Sequence, residues 1–144
     1  MLEHAAALFT LFGIAKHADE FPSRCSGGQR QKAALIRALL TPAEIIALDE
    51  PAGAIDQITR VSIYEALLSI MQQRAMEAQH LTVLIVSHDP EELLLLCDEI
   101  VVFPPQPLQP PTVFPVPLAR PRLPQLRFTQ EFLALKQSLW TRLL

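Results

Sequence analysis

Apolar and polar positions fall into blocks along the chain, and each block has its own period. Residues 2–12, LEHAAALFTLF, read as a short helix ending at Gly13. Residues 14–24 are mixed and read as loop or short helix. Ser26 opens a stronger helical pattern that runs to about Leu40, where Pro42 stops it. Ser26 and Gln29 have the spacing of a reciprocal cap. Ile45-Ile-Ala-Leu48 is then a short unbroken apolar run, which predicts a buried parallel strand ending at Asp49-Glu50-Pro51. Residues 57–79 predict a long helix with Val61, Tyr64, Leu68, Met71, Ala75 and Ala78 on its apolar face. Leu81–Val86 is a second buried strand, β-branched and uninterrupted. Asp89, Pro90 and Glu92 form a helix start, and that helix covers about 90–97. Glu99–Phe103 is a third strand.

The pattern then breaks. Nine of the thirteen prolines lie within 104–124, a stretch that can form extended segments or a hairpin but no helix. An amphipathic helix over about 128–143 closes the chain. Strand–helix–strand–helix–strand order predicts an α/β fold with a mostly parallel sheet.

Composition narrows the partners. The chain has 144 residues, the length of one domain, and its 50% hydrophobic content is ample for a core. A net charge of -3 gives no electrostatic footprint for nucleic acid or an anionic membrane. Cys25 and Cys97 make no disulfide framework and read as free thiols of a reducing compartment. No apolar stretch approaches the roughly 20 residues that span a bilayer. Met1-Leu-Glu-His lacks the basic and apolar regions of a signal peptide. A cytoplasmic protein is the expectation.

Three places carry candidate chemistry. Asp49 and Glu50 follow a buried strand, where ligands of open parallel sheets bind. Such an acid can hold Mg²⁺ directly or through water, and its neighbour can orient or deprotonate an attacking water. Taken singly, the pair fits a solvated strand-to-loop turn equally well. His88 occupies the same place after the next strand and is either a phosphate donor or an ordinary loop histidine. Nothing clusters around His4, His17 or His80, which read as bystanders. Ser26-Gly27-Gly28-Gln29 opens a helix whose unpaired N–H groups and partial positive charge suit a phosphate. Glycines let that phosphate approach, and a flexible capped helix start accounts for the same residues as well.

The order of these pieces resembles the ATP-binding-cassette ATPases. Cys25-Ser-Gly-Gly-Gln29 resembles their signature motif, Ile45–Pro51 their Walker B strand, Gly53-Ala-Ile-Asp56 their D-loop, and His88 their switch histidine. The resemblance spans about Phe21 to Val102. It implies ATP and Mg²⁺ as cofactors. Asp49 would bind Mg²⁺ through its water shell, Glu50 would be the general base, and His88 would contact the γ-phosphate. Ser26, Gly27, Gly28 and Gln29 would contact the γ-phosphate of ATP held by a second ATPase subunit, and Asp56 would couple the two subunits. Cys25 stands where the family usually has Leu, and Ala47 is smaller than the usual residue.

The phosphate loop G-x-x-x-x-G-K-[ST] does not occur in these 144 residues: the glycines are 13, 27, 28 and 53, and none precedes a lysine. The glutamine loop is missing too. The expected architecture is therefore the C-terminal half of a P-loop NTPase cassette. Residues 1–40 would be a remnant of the helical subdomain, 41–103 half of the catalytic core, 104–125 a proline-rich connector and 126–144 a C-terminal helix. The isolated chain is expected to be inactive and to leave apolar sheet surface uncovered. The 49–60 and 87–98 stretches and the tail resemble importers of nitrate, sulfonates and taurine. That branch implies membrane permease subunits, a periplasmic solute-binding protein acting indirectly, no nucleic acid, and a place on the inner face of the membrane. A non-catalytic or regulatory half-cassette is the alternative. A split chromosome-maintenance ATPase head needs a heptad coiled coil before the signature, and residues 1–24 have none.

Overall fold

A computed structural model describes residues 2–53, 55–77, 81–104 and 109–143 of the chain. The chain divides into two compact units, Met1–Val86 and Ser87–Leu144.

The first unit begins with helix α1, Leu2–Leu11. Gly13 ends it with φ +66, a conformation that costs a residue with a Cβ roughly 1 kcal/mol or more. The Gly13 N–H reaches Thr10 O at 3.0 Å and the Ile14 N–H reaches Phe9 O at 2.9 Å. Phe12 and Ile14, on either side, are buried. Helix α2, Gly27–Leu40, packs against α1 and buries Leu35, Ile36 and Leu39. Thr41 is extended, as a residue before proline must be, and α2 stops there. The guanidinium of Arg74 satisfies the end of this helix. It donates to Leu39 O at 2.9 Å, Ala43 O at 3.1 Å and Thr41 O at 3.1 Å, so a positive charge sits at the negative helix terminus.

Strand β1, Ile45–Asp49, pairs in parallel with strand β2, Thr82–Val86, in the register Ile45 to Thr82 through Asp49 to Val86. Helix α3, Gln57–Met76, forms the crossover between them. Among the residues whose side chains are described, Ile63, Tyr64, Ala66 and Leu67 are buried, whereas Val61, Leu68 and Met71 are half-buried and Ala75 is exposed. The apolar face is thus rotated from the expected one, because the core reaches the helix from the Ile63–Leu67 side. Ala78 lies outside the described residues.

The apolar runs predict buried strands and the half-cassette reading predicts uncovered apolar sheet surface; one face of the pair is buried and the other is not. Ile46 and Leu48 are buried, while Ile45 is 63%, Leu84 57% and Val86 64% exposed. No described residue of the first unit covers that second face.

The second unit starts with helix α4, Pro90–Leu96, whose four leucines are all buried. Strand β3, Glu99–Val102, departs from the parallel arrangement. It pairs antiparallel with strand β4, Thr112–Pro115, Ile100 opposite Phe114. The reason is the short proline-rich connection, which can close a hairpin but is too short for a parallel crossover. Pro115 falls at the end of the ladder, where a missing N–H is harmless. Helix α5, Gln130–Leu143, packs on α4 and buries Phe132 and Leu139.

Candidate functional site

The Ser26 turn forms as its spacing predicts. Ser26 Oγ accepts from the Gln29 N–H at 3.2 Å, and Gln29 Oε1 accepts from the Ser26 N–H at 2.7 Å. Two otherwise unpaired donors of α2 are satisfied this way, a cap contributing about 1 kcal/mol. The cap uses Ser26 Oγ as an acceptor, so its hydroxyl hydrogen can still be donated outward. Gly27 occupies the first helical position and is exposed. A Cβ added there meets nothing within 4 Å, so internal packing does not demand glycine at this position. The open N-terminus leaves room for a group from outside the unit.

Gln29 is held on its other side as well. Its Nε2 lies 2.9 Å from His17 Nε2, and His17 Nδ1 lies 3.1 Å from Glu20 Oε2. His17 thus has neighbours that the sequence did not show, and its role here is to support the cap. No local signal announces it, because the two residues are twelve apart and meet only through the turn at Pro22–Arg24. The His4 side chain and His80 lie outside the described residues.

Asp49 ends β1 and is exposed. Glu50 follows with φ +45, an uncommon conformation for a residue with a side chain. Three contacts hold its peptide groups. The Glu50 N–H donates to Val86 O at 2.9 Å, so the β1–β2 ladder extends one residue past the strand. The Glu50 carbonyl accepts from the Gly53 N–H at 3.0 Å and from Gln31 Nε2 at 2.6 Å. A Cβ at Gly53 would sit in ordinary contact with Glu50 Cβ at 3.4 Å and Glu50 Oε2 at 3.6 Å, so the Glu50 side chain lies against Gly53. Asp56 caps α3, its Oδ1 accepting from the Thr59 N–H at 2.9 Å. Ala54, between them, lies outside the described residues.

In the second unit, His88 is exposed at the entrance to α4. Its neighbours form a hydrogen-bonded turn. Ser87 Oγ donates to Glu92 Oε2 and accepts from the Asp89 N–H at 3.1 Å, while Asp89 Oδ1 accepts from the Glu91 N–H at 2.9 Å. Arg122, 2% exposed, anchors the rest of this unit. It donates to Leu118 O at 3.0 Å, Val116 O at 3.2 Å, Cys97 O and Asp98 Oδ1 at 3.1 Å. Arg120 donates to both oxygens of the same carboxylate, at 2.9 and 3.0 Å. Burial would raise the Asp98 carboxyl, but the Arg120 hydrogen bond and the charges of Arg120 and Arg122 hold it below its ordinary value. Burial, then the charges of Asp98 and Glu92, push the Cys97 thiol up to about 11, which keeps it protonated and unreactive. Both cysteines are free.

Among the described residues no three of His, Cys, Asp and Glu cluster as a metal cage. A hard cation that keeps most of its waters needs only one or two carboxylates, and Asp49 offers one at the open end of β1. Asp49 therefore suits a hydrated Mg²⁺, and the described residues offer no imidazole or thiolate beside it.

Residues 1–53 match the family model described as ABC transporter. The chain is 42% identical over 120 residues to the aliphatic sulfonates import ATP-binding protein SsuB 1 of Rhodococcus jostii, covering 83% of the chain and 46% of that protein. It is 38% identical over 133 residues to SsuB 2 of Agrobacterium fabrum, covering 92% and 47%. It is 40% identical over 113 residues to the formylaminopyrimidine import ATP-binding protein ThiZ of Halalkalibacterium halodurans, covering 78% and 43%. The chain thus spans about half the length of the curated relatives it matches. A structure described as an inward-facing, metal-chelate type ABC transporter superposes with a TM-score of 0.57 at 20% identity, over 94% of the chain and 48% of that chain, a likeness of fold.

Proposed function

We propose that the chain, which is part of an ATP-binding-cassette ATPase, supplies the water-activating and partner-facing elements of a nucleotide-hydrolysing cassette. One observation carries this reading. An open, capped helix start at Ser26–Gln29 and a locked Glu50 turn at the end of β1 share a single unit and are tied together by Gln31.

Asp49 would hold Mg²⁺ through its water shell, and that ion supplies charge neutralisation at the phosphates when bound. Glu50 takes the proton from the hydrolytic water. His88 donates to the γ-phosphate and stabilises charge in the transition state. Ser26 Oγ–H and the N–H groups of Gly27, Gly28 and Gln29 reach the γ-phosphate of ATP bound to a second ATPase subunit. Asp56 couples the subunits while capping α3. The 144 residues offer no phosphate loop for the α- and β-phosphates, so this stretch alone neither holds Mg-ATP tightly nor turns it over.

The relatives named for sulfonate and formylaminopyrimidine import support a place in an importer of small organic solutes. The partners are then membrane permease subunits and, through them, a periplasmic solute-binding protein. Such ATPase subunits sit on the inner face of the membrane, and no helix among the described residues is long and apolar enough to cross it.

The test is complementation. Co-expression with a polypeptide carrying the phosphate-loop half should restore ATPase activity, while calorimetry on the chain alone should register no micromolar Mg-ATP binding. Glu50→Gln should then lower turnover by about 10²–10⁴-fold, with nucleotide still bound. Unchanged turnover would remove Glu50 from the base role, and a completed cassette without any turnover would favour a non-catalytic half.

A further inference from the structure

Gln31 has no part in the chemistry described so far. It lies on α2, five residues beyond Ser26 and about 7.5 Å along the helix axis. Its side chain crosses to β1, where Nε2 donates to the Glu50 carbonyl at 2.6 Å. That carbonyl belongs to the residue with φ +45, whose conformation costs about 1–3 kcal/mol unless its surroundings hold it in place. The other holders are Val86 O, on the Glu50 N–H, and the Gly53 N–H, on the same carbonyl. Val86 ends the neighbouring strand and Gly53 belongs to the turn itself. Gln31 alone among these three ties the turn to the helix that begins Ser-Gly-Gly-Gln.

We infer that Gln31 is a positioning residue for Glu50. Its amide fixes the peptide plane that follows Glu50, and with it the direction in which the carboxylate leaves the chain. The same bond makes α2 a rigid strut between the helix start that faces an anion and the residue that activates water. The inference rests on Glu50 acting as the base. A side chain of equal length that cannot donate removes this bond from the Glu50 carbonyl and lets the plane turn. A misplacement of about 1 Å can cost on the order of 10²-fold in rate.

Two measurements test it, with Gln31→Met and Gln31→Glu as the variants. In the 144-residue chain, amide hydrogen exchange at Glu50 and Gly53 should accelerate at least about tenfold, while the Leu35 and Ile36 amides in the middle of α2 keep their protection. Unchanged exchange at Glu50 and Gly53 would overturn the inference. Equal acceleration at Leu35 and Ile36 would overturn it as well, since Gln31 would then only hold the fold together. In the completed cassette, both variants should lower kcat about 10–100-fold and leave KM for ATP within about twofold. Full turnover in Gln31→Met beside lost turnover in Glu50→Gln overturns the positioning role and spares the base. Full turnover in Glu50→Gln removes the base itself and the inference with it.

Discussion

Gly27 and Glu50 show how single residues are chosen against local convenience. Alanine at the first position of a helix is easier to order than glycine, and a Cβ at Gly27 would meet nothing. Packing therefore gives no reason for glycine there, whereas the proposed phosphate contact would. Gly27→Ala should leave the melting temperature of the first unit unchanged or slightly higher, by up to about 1 kcal/mol of stability. In the completed cassette it should lower turnover at least about tenfold by obstructing the phosphate. A melting temperature that falls with activity would return Gly27 to a structural role. Glu50 is the converse case, a bulky residue in a backbone conformation suited to glycine. Asp49-Glu50 is legible in sequence as a candidate site, because two acids after an apolar run stand out. The positive φ is not legible, because it follows from contacts with Val86, Gly53 and Gln31.

At the scale of elements, helices α2, α4 and α5 and strands β1 and β2 fall close to where periodicity and caps put them. Their signals are local: a reciprocal cap at Ser26, a proline at position 42, an Asp-Pro start at 89–90. The α3 face and the β3 pairing are not local, since each depends on which neighbour arrives. In the second case the short connection permits only a hairpin, and Arg120 and Arg122, with Asp98, brace it by tying the segment after β4 to the α4–β3 connection. The Asp98 carboxyl titrates below its ordinary value in the folded unit, so it contributes stability above an unfolded pKa of about 3.9. That contribution is lost as pH falls through the lower, folded value. Asp98→Asn should lower the stability of the second unit at neutral pH by about 0.5–1 kcal/mol. The value is small because the carboxylate is two-thirds exposed. The acid limb of a melting-temperature profile should flatten in the variant. An unchanged limb would place the acid sensitivity in another carboxylate.

For the whole molecule, the uncovered face of the β1–β2 pair is the dominant fact. Ile45, Leu84 and Val86 lie exposed on one side of a sheet whose apolar runs read as buried on both. The relatives matched are about twice as long. The double change Ile45→Thr and Leu84→Thr should reduce aggregation of the 144-residue chain and its binding of a hydrophobic dye, with a loss below about 1 kcal/mol in stability. A loss of several kcal/mol would mean the face is covered within the chain. Element type, the Ser26 cap and the acids after β1 were determined by the sequence itself, since each is a matter of neighbours a few residues apart. The strand partners, the buried Arg122, the His17–Gln29 contact and the Gln31 strut were decided only by tertiary structure. They join residues far apart in the chain, where no local pattern records which donor will meet which acceptor.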